Sequence, residues 1–182
     1  PLEESASRRA EDNKLKGAFF GTLYNSFPYH LLSEQLLEIS KTQKRTVRLL
    51  IMGRHRDQRG LQSLQAESAR HGFELELTGE LSAQALSHHL QECTLGVSTT
   101  PFDVMGKSGA TSALLEHGLP VLAYDDGDTP EERLFVFEPF VNQVVLLNDP
   151  ALPLRLTELM TKPRPAFFNG VEHTAQSMLK SL

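Results

Sequence analysis

The sequence has little of what several classes of protein require. It contains a single cysteine, Cys93, in 182 residues, so an internal disulfide is excluded and a reducing compartment, the cytoplasm, is expected. The net charge is −5, whereas nucleic-acid-binding proteins usually have a basic excess, so we expect no nucleic-acid partner. No run of 18 apolar residues occurs, so no membrane span is predicted. A composition of 40% hydrophobic and 23% charged residues is typical of a globular protein.

The N-terminus differs from the rest of the chain. It reads PLEESASRRAEDNK, which has no apolar core and therefore does not resemble a secretory signal peptide. We predict that residues 1–16 form a linker or N-terminal extension. Residues 17–182 are enough for one domain with a sizeable core. Because the chain starts at Pro1 rather than at methionine, we expect that a partner domain is missing.

Short apolar segments alternate with amphipathic ones from Gly17 onward. Strands are predicted at residues 18–23, 47–52, 73–78, 95–98, 120–124 and 141–147. Helices are predicted at residues 29–42, 61–71, 82–93, 108–117, 152–161 and 173–182. Strands that alternate with helices indicate right-handed crossovers. The pattern therefore predicts a three-layer, doubly wound α/β fold with a mainly parallel, six-stranded sheet of Rossmann-like topology.

The order of the strands decides where a ligand can bind. In a doubly wound sheet of order 3-2-1-4-5-6, the first and fourth strands are neighbours, and ligands bind outside their carboxyl ends. Gly21 and Thr22 follow the first predicted strand, and residues 98–109 follow the fourth. We therefore expect the binding crevice between these two segments.

The run Gly106-Lys107-Ser108-Gly109 lies at the predicted start of the helix after the fourth strand. A helix N-terminus offers unpaired N–H groups and a partial positive charge, and glycines let an anion approach the backbone. A lysine in the first turn is unfavourable unless an anion lies beside it. The run therefore predicts a diphosphate seat. The alternative is that the glycines only serve packing and Lys107 points into solvent.

Motifs of other enzyme classes are incomplete. A Walker A loop needs a glycine at position 101, where this sequence has proline, which has no N–H for a phosphate. There is no Gly-x-Ser-x-Gly nucleophile elbow, and Gly21 lacks the companion glycines of a dinucleotide fingerprint. No cluster of histidine and cysteine has zinc spacing, so no metal site is predicted.

Two charged loops have both functional and ordinary interpretations. Residues 53–60 contain three arginines and a histidine and could add positive potential to the crevice. We favour a solvated loop whose arginines pair with carboxylates such as Asp57. Residues 125–132 contain five acidic side chains, which could bind sugar hydroxyls or a cation. We favour a solvated turn that caps the next helix.

These segments together resemble one known family. The stretch from Gly106 to Ala110, with LEHGLPV at residues 115–121, is similar to the sugar-nucleotide-binding C-terminal half of GT-B glycosyltransferases, especially the retaining enzymes of glycosyltransferase group 1. FFGTL at residues 19–23 resembles the opening strand and glycine turn of that domain. The later strands resemble those of the family in order, and the resemblance covers about residues 18–160.

The resemblance implies a two-domain enzyme that transfers a sugar from a nucleoside diphosphate sugar to an acceptor. The base of the donor would lie near Gly79, Glu80 and Leu81, and its diphosphate on the helix that begins at Lys107. The donor is a substrate, so no permanently bound cofactor is expected. The acceptor would bind an N-terminal domain that is missing from this chain.

The sequence departs from the family pattern at several positions. The family often has two glutamates at the places of Met105 and Ala113, and an arginine and a lysine after the first glycine turn, where Gly21 is followed by neither. Glu116 lies one turn further along. No catalytic residue is therefore assigned. Two hypotheses follow: the donor-binding half of a glycosyltransferase, or a non-catalytic binding or scaffold module that has lost donor chemistry.

Overall fold

The computed structural model describes residues 13–54, 58–125, 127 and 140–165. The strands are β1 (Lys14–Phe20), β2 (Thr46–Met52), β3 (Glu74–Gly79), β4 (Leu95–Val97), β5 (Val121–Ala123) and β6 (Val144–Leu146). The helices are α1 (Tyr29–Gln43), α2 (Gln58–His71), α3 (Ala83–Glu92), α4 (Phe102–Met105), α5 (Gly109–Glu116) and α6 (Leu152–Thr161). A 3₁₀ turn, Val141–Gln143, leads into β6.

The six strands form one sheet in the order β3-β2-β1-β4-β5-β6, and every neighbouring pair is parallel. The predicted α/β fold class is confirmed, and the strand order is the one on which the predicted position of the crevice depends. Because the chain leaves β1 toward β2 and later returns beside β1 as β4, the β1–β4 boundary is the point where the order reverses. Pairing there ends with Phe19 opposite Val97.

Helices cover both faces of the sheet, each over its own apolar core. On one face, leucines of α1, α2 and α6 pack on the sheet. On the other face, apolar side chains of α3, α4 and α5 pack on it. The strands in the middle of the sheet are buried on both sides, as parallel strands between two helical layers must be. The largest buried side chains of the two cores are Phe19, Leu32, Leu36, Leu64, Leu90 and Met105.

Local sequence signals account for the helix ends. Ser82 and Ser108 are N-caps whose hydroxyls accept hydrogen bonds from the N–H groups of Ala85 and Thr111, each at 3.2 Å. These bonds satisfy one of the donors that every helix N-terminus leaves open. Gly118 follows α5 with φ +68°, a left-handed conformation that glycine adopts without strain. The predicted stop of this helix at Gly118 is confirmed.

The prediction for the first strand is wrong in its bounds. It was placed at residues 18–23, whereas β1 starts at Lys14 and ends at Phe20. Lys14–Lys16, assigned from sequence to the linker, alternate so that Leu15 is fully buried while Lys14 reaches the Glu74 carboxylate at 2.8 Å. Charged residues can border a sheet in this way because lysine buries its stem and keeps its ammonium group in water.

Two further differences concern short elements. The sequence predicts a loop at residues 102–105, but these residues form α4. The sixth strand, predicted at residues 141–147, is limited to Val144–Leu146. The predicted helix at 173–182 lies outside the described residues. No helix in the described part of the chain is long and apolar enough to cross a membrane.

Candidate functional site

Three consecutive hydroxyl side chains follow β4, at the carboxyl end of the strand. They are Ser98, Thr99 and Thr100, of which the first two are buried. Because successive residues of an extended chain point to opposite faces of a sheet, Ser98 and Thr100 lie toward α5, and Thr99 lies toward the loop after β1. Their hydrogen bonds follow this alternation, so the tripeptide links both segments that the sequence predicts at the crevice.

Thr99 holds the loop after β1. Its Oγ1 donates to the carbonyl oxygen of Thr22 at 2.7 Å and accepts from the N–H of Tyr24 at 3.2 Å. With 6% of its surface exposed, the hydroxyl has little access to water, and both of its bonds are made within the protein. The loop at residues 21–28 is thereby fixed to β4 beyond the last backbone pair of the two strands.

Ser98 and Thr100 hold the beginning of α5. The Ser98 hydroxyl lies 2.8 Å from Oγ1 of Thr111, and Thr100 Oγ1 donates to the N-cap oxygen of Ser108 at 3.3 Å. That N-cap oxygen also accepts from the N–H of Thr111. The first turn of α5 is therefore attached to β4 through two hydroxyl contacts.

The two predicted segments meet directly at Gly21. A Cβ on this residue would lie 3.0 Å from the Cβ of Ala110 in α5, and its φ is +87°. Both facts require glycine here. Within the described residues, the N–H groups of Thr22 and Leu23 on one side, and of Gly109 and Ala110 on the other, donate to no protein acceptor. The boundary of β1 and β4 thus offers backbone donors from two converging loops.

A small cleft opens beside these loops, with a volume of about 80 Å³. Its lining combines aromatic side chains, such as Phe27 and Phe102, with hydroxyl groups and a carboxylate. Such a mixture suits a ligand with both ring faces and polar groups. The lining residues are Ser26, Phe27, Thr99, Thr100, Pro101, Phe102, Tyr124 and Asp125.

The structure corrects the position of Lys107. It was expected in the first turn of the helix, but α5 starts at Gly109 and Lys107 precedes the N-cap. The N–H of Lys107 donates to the carbonyl oxygen of Val104 at 3.0 Å, because the residue belongs to the turn that closes α4. Its side chain is exposed. The helix dipole acts mainly within the first helical turn. The position of Lys107 is therefore weaker evidence for a bound anion than the sequence indicates.

The short helix α4 also argues against a phosphate-encircling loop of the Walker A type. A P-loop directs successive N–H groups at the anion, whereas the N–H groups of Val104, Lys107 and Ser108 are bonded to carbonyl oxygens within residues 101–105. Phe102 and Met105 are buried in the core under this helix. Residues 101–106 are thus a packing element, and a Walker A loop at this position has no geometric support.

The remaining predicted residues lie at the edge of the sheet. Gly79 ends β3 and accepts the N–H of Gly53 at 2.9 Å, while Leu81 is half-buried against the core under α3 and α5. Glu80 is exposed, and its carboxylate forms an ion pair with Arg54. Arg54 is therefore paired with a carboxylate, as the ordinary interpretation of its loop predicts, but the partner comes from the next loop. His55, Arg56 and Asp57 lie outside the described residues.

Glycines occupy equivalent positions at the carboxyl ends of the first three strands. Gly21, Gly53 and Gly79 all have positive φ, and a Cβ on Gly53 would lie 3.6 Å from the backbone nitrogen of Gly21. A row of neighbouring backbones without side chains results along this edge. Gly79, Glu80 and Leu81 are therefore connected through Gly53 to Gly21, although they make no direct contact with Lys107 or Gly109 among the hydrogen bonds of the described residues.

The acidic loop is described only at its start. Asp125 is 3% exposed, and its Oδ1 accepts the N–H of Gly127 at 3.0 Å. This bond belongs to a turn in which the side chain replaces a backbone acceptor. Asp125 therefore shapes a turn, as the ordinary interpretation predicts, but it is buried, so the expectation that this turn is solvated is wrong at this residue. Most of the loop, including the predicted helix cap, lies outside the described residues.

No protein-family model matches the sequence, and no curated protein matches it. Solved structures do. The catalytic domain of cholesterol-α-glucosyltransferase from Helicobacter pylori is 16% identical, with a TM-score of 0.50 over 92% of this chain and 97% of that chain. HepE of Anabaena, solved with UDP and glucose, is 18% identical with a TM-score of 0.49. TarM of S. aureus, solved with UDP, is 13% identical with a TM-score of 0.48.

The chain has the fold of a GT-B glycosyltransferase domain. At this level of identity the likeness concerns the fold alone. The chain spans 53% of the length of HepE and 29% of that of TarM.

The structure shows what occupies the two positions where the resembled enzymes often have glutamates. Met105 occupies a position where the resembled enzymes often have a glutamate, and here its side chain is fully buried beneath α4, in the core with Phe102 and Leu114. Ala113, at the second such position, packs on the same core. Apolar side chains therefore fill both places, and a carboxylate at position 105 would need α4 to move away from the sheet.

The hydroxyl tripeptide is the part of the site that the sequence prediction missed. The residues 98–100 were included only as part of a loop, without any role for their side chains. The signal was present, because three hydroxyl residues directly after a buried strand at a predicted switch point must alternate between the two flanking loops. Their observed partners lie in the loop after β1, at Thr22 and Tyr24, and at the start of α5.

Proposed function

We propose that the chain is the donor-binding domain of a glycosyltransferase that uses a nucleoside diphosphate sugar. The observation on which this rests is the convergence of Gly21 and Ala110 at the β1–β4 boundary, with open N–H donors in both loops. Oriented N–H groups stabilise the oxygens of a diphosphate, both in the bound donor and in the leaving group. The fold, shared with a glycosyltransferase catalytic domain, supports the same conclusion.

Each segment around the β1–β4 boundary has a role in this proposal. The diphosphate lies between the loop after β1 and the start of α5, and the exposed Lys107 adds positive charge at the rim. The base lies along the glycine row toward Gly79, Glu80 and Leu81. The acceptor and the residues that activate it belong to a separate N-terminal domain, in line with a chain that spans only 53% of HepE. Catalysis by this half relies on charge stabilisation.

The test is calorimetric titration of the chain with UDP and with GDP. At least one of them should bind, and Lys107→Ala should weaken binding by about tenfold, near 1.4 kcal/mol, because one cation is lost from the rim. The affinity of the variant should also depend less on salt concentration. Lys41→Ala, an exposed lysine in the last turn of α1, is the matched control and should bind like wild type. Absence of wild-type binding at millimolar nucleotide would refute the proposal.

The second candidate is a module that has kept the fold without the chemistry. The burial of Met105 at the place of a family glutamate favours it. A ligand that binds only the folded state raises the melting temperature, and the rise grows as the ligand concentration exceeds its Kd. A melting temperature that stays constant across a panel of nucleoside diphosphates and sugar nucleotides would support this candidate, and a rise with any of them would support the donor-binding domain.

A further inference from the structure

We propose that Thr99 is a positioning residue that holds the loop after β1 in the conformation required for diphosphate binding. The part that concerns ligand affinity rests on the proposed function, whereas the part that concerns the loop does not. Neither the fold nor the sequence motifs assign a role to this side chain.

Thr99 lies where the backbone pairing of two neighbouring strands has just ended. Backbone pairing of β1 with β4 ends at Phe19 and Val97, two residues before Thr99. From there on the strands separate, and the Thr99 hydroxyl makes the next connections between them, to the carbonyl oxygen of Thr22 and the N–H of Tyr24. Beyond the last backbone pair, the Thr99 side chain therefore provides the hydrogen bonds that join β4 to the loop after β1, beside the cleft.

Other contacts hold the side of the loop that faces α1 and α2. Tyr29 donates its hydroxyl to the carbonyl oxygen of Tyr24 at 2.9 Å, and Gly60 of α2 lies so close to the carbonyl group of Leu23 that a Cβ would overlap it. These contacts fix the loop to α1 and α2, on its side away from β4. Within the described residues, only the Thr99 hydrogen bonds join the loop to the strand that also anchors α5.

The consequence for binding follows from geometry. Thr22 and Leu23 have open N–H groups. The N–H of Leu23 shares its peptide plane with the Thr22 carbonyl that Thr99 binds, so this bond sets the direction of that donor. The N–H of Thr22 lies one peptide unit earlier, between this fixed plane and Gly21. Ser98 and Thr100 fix the opposing donors of α5 from the same tripeptide. The spacing of the two donor sets therefore depends on residues 98–100.

The chain provides a matched control at the other end of the same strand. Thr94 precedes β4, and its Oγ1 donates to the carbonyl oxygen of Lys16 in β1 at 2.9 Å. It is the same kind of bond between the same two strands, at the end of the sheet remote from the cleft. A purely structural effect of losing a hydroxyl should therefore appear in Thr94→Val as well as in Thr99→Val.

The experiment compares Thr99→Val, Thr99→Ser and Thr94→Val with wild type by UDP and GDP calorimetry, by melting temperature and by amide hydrogen exchange. Thr99→Val should weaken nucleotide binding by about tenfold, comparable to the loss of one buried hydrogen bond, and should accelerate exchange at the Tyr24 amide. Thr99→Ser should restore both properties. Thr94→Val should lower the melting temperature by a smaller amount, since it loses one hydrogen bond and the Lys16 carbonyl keeps the Thr94 N–H as a donor, and it should not change nucleotide affinity.

The outcomes separate this inference from the proposed function. The inference is overturned if folded Thr99→Val binds nucleotide as tightly as the wild-type protein does, or if Thr94→Val loses as much nucleotide affinity as Thr99→Val. In both cases, nucleotide binding by the wild-type protein would still support the proposed function. If wild type binds no nucleotide, the proposed function fails, and the exchange rate at Tyr24 still decides whether Thr99 holds the loop. If Thr99→Val does not fold, wild type alone is informative: its Tyr24 amide should exchange more slowly than that of Thr22, and equal rates would refute the inference.

Discussion

The two ends of the parallel sheet differ in the contacts that hold their central strands. At the carboxyl end, short hydroxyl side chains at residues 98–100 join β4 to the loops on both sides. At the amino end, long charged side chains add to the single hydroxyl bond of Thr94: Lys14 pairs with Glu74 across β2, and Arg45 donates to the carbonyl oxygen of Lys14. Arg164 donates to the carbonyl oxygens of Leu90 and Cys93 at the end of α3.

The difference shows how one end of a sheet is left open for a ligand. A threonine or serine hydroxyl reaches a neighbouring backbone group without filling the space above the strands, whereas lysine and arginine cover the strand ends with their stems. Short links also have little rotamer freedom, which keeps open N–H donors in fixed directions. The closed amino end provides stability, and the open carboxyl end is where doubly wound folds bind ligands.

The substitution with the largest expected effect disrupts packing at the carboxyl end of the sheet. In Gly60→Ala the new Cβ would overlap the carbonyl oxygen of Leu23 and lie 2.9 Å from the hydroxyl of Tyr29. Overpacking against backbone forces the loop or α2 to move, so we expect a loss of about 3 kcal/mol in the free energy of unfolding. Urea unfolding followed by circular dichroism measures it. The same displacement of the loop should weaken UDP binding.

The control for this substitution is Gly109→Ala at the start of α5. A Cβ there would meet nothing within 4 Å, and alanine is a better helix former than glycine. We expect its free energy of unfolding to equal or slightly exceed that of wild type. If Gly60→Ala is as stable as Gly109→Ala, α2 does not press on the loop after β1.

The second prediction concerns the closed end, where Cys93 is fully buried beneath the Arg164 contacts. Burial raises the pKa of the Cys93 thiol from about 9 to about 12, although the nearby Arg164 charge acts in the opposite direction. The unfolded chain therefore loses this proton at lower pH than the folded chain. The stabilisation is complete below pH 9 and is lost as the pH rises toward 12.

Urea unfolding at pH 9, 10 and 11 measures this effect as a difference between wild type and Cys93→Ala. The free energy of unfolding of wild type should fall by about 2 kcal/mol more than that of the variant between pH 9 and 11, given 1.36 kcal/mol per pKa unit. Other groups titrate equally in both proteins. Parallel curves would show that the thiol is accessible to water and that the amino end is more open than its contacts indicate.

The sequence predicts the layers, the strand order and the location of the crevice, because apolar periodicity and the handedness of crossovers are local signals. It does not predict the start of β1, since Lys14 and Lys16 read as linker until their neighbours in β2 and β3 are known. It also misses α4, whose Phe102 and Met105 are buried by partners distant in sequence. The structure gives the positions of the predicted site residues, while their roles in binding stay predictions.

The smallest expected effect tests the charged links at the closed end. The Lys14–Glu74 pair has side-chain exposures of 32% and 52%, and pairs with this much water around them contribute about 0.5 kcal/mol or less. A double-mutant cycle with Lys14→Met and Glu74→Gln should give a coupling of that size at low salt and almost none at high salt, because added ions screen exposed charges. UDP affinity should be the same in all four proteins of the cycle. A change in affinity would mean that the two ends of the sheet are linked energetically, and that hydroxyl contacts at residues 98–100 alone do not set the geometry of the cleft.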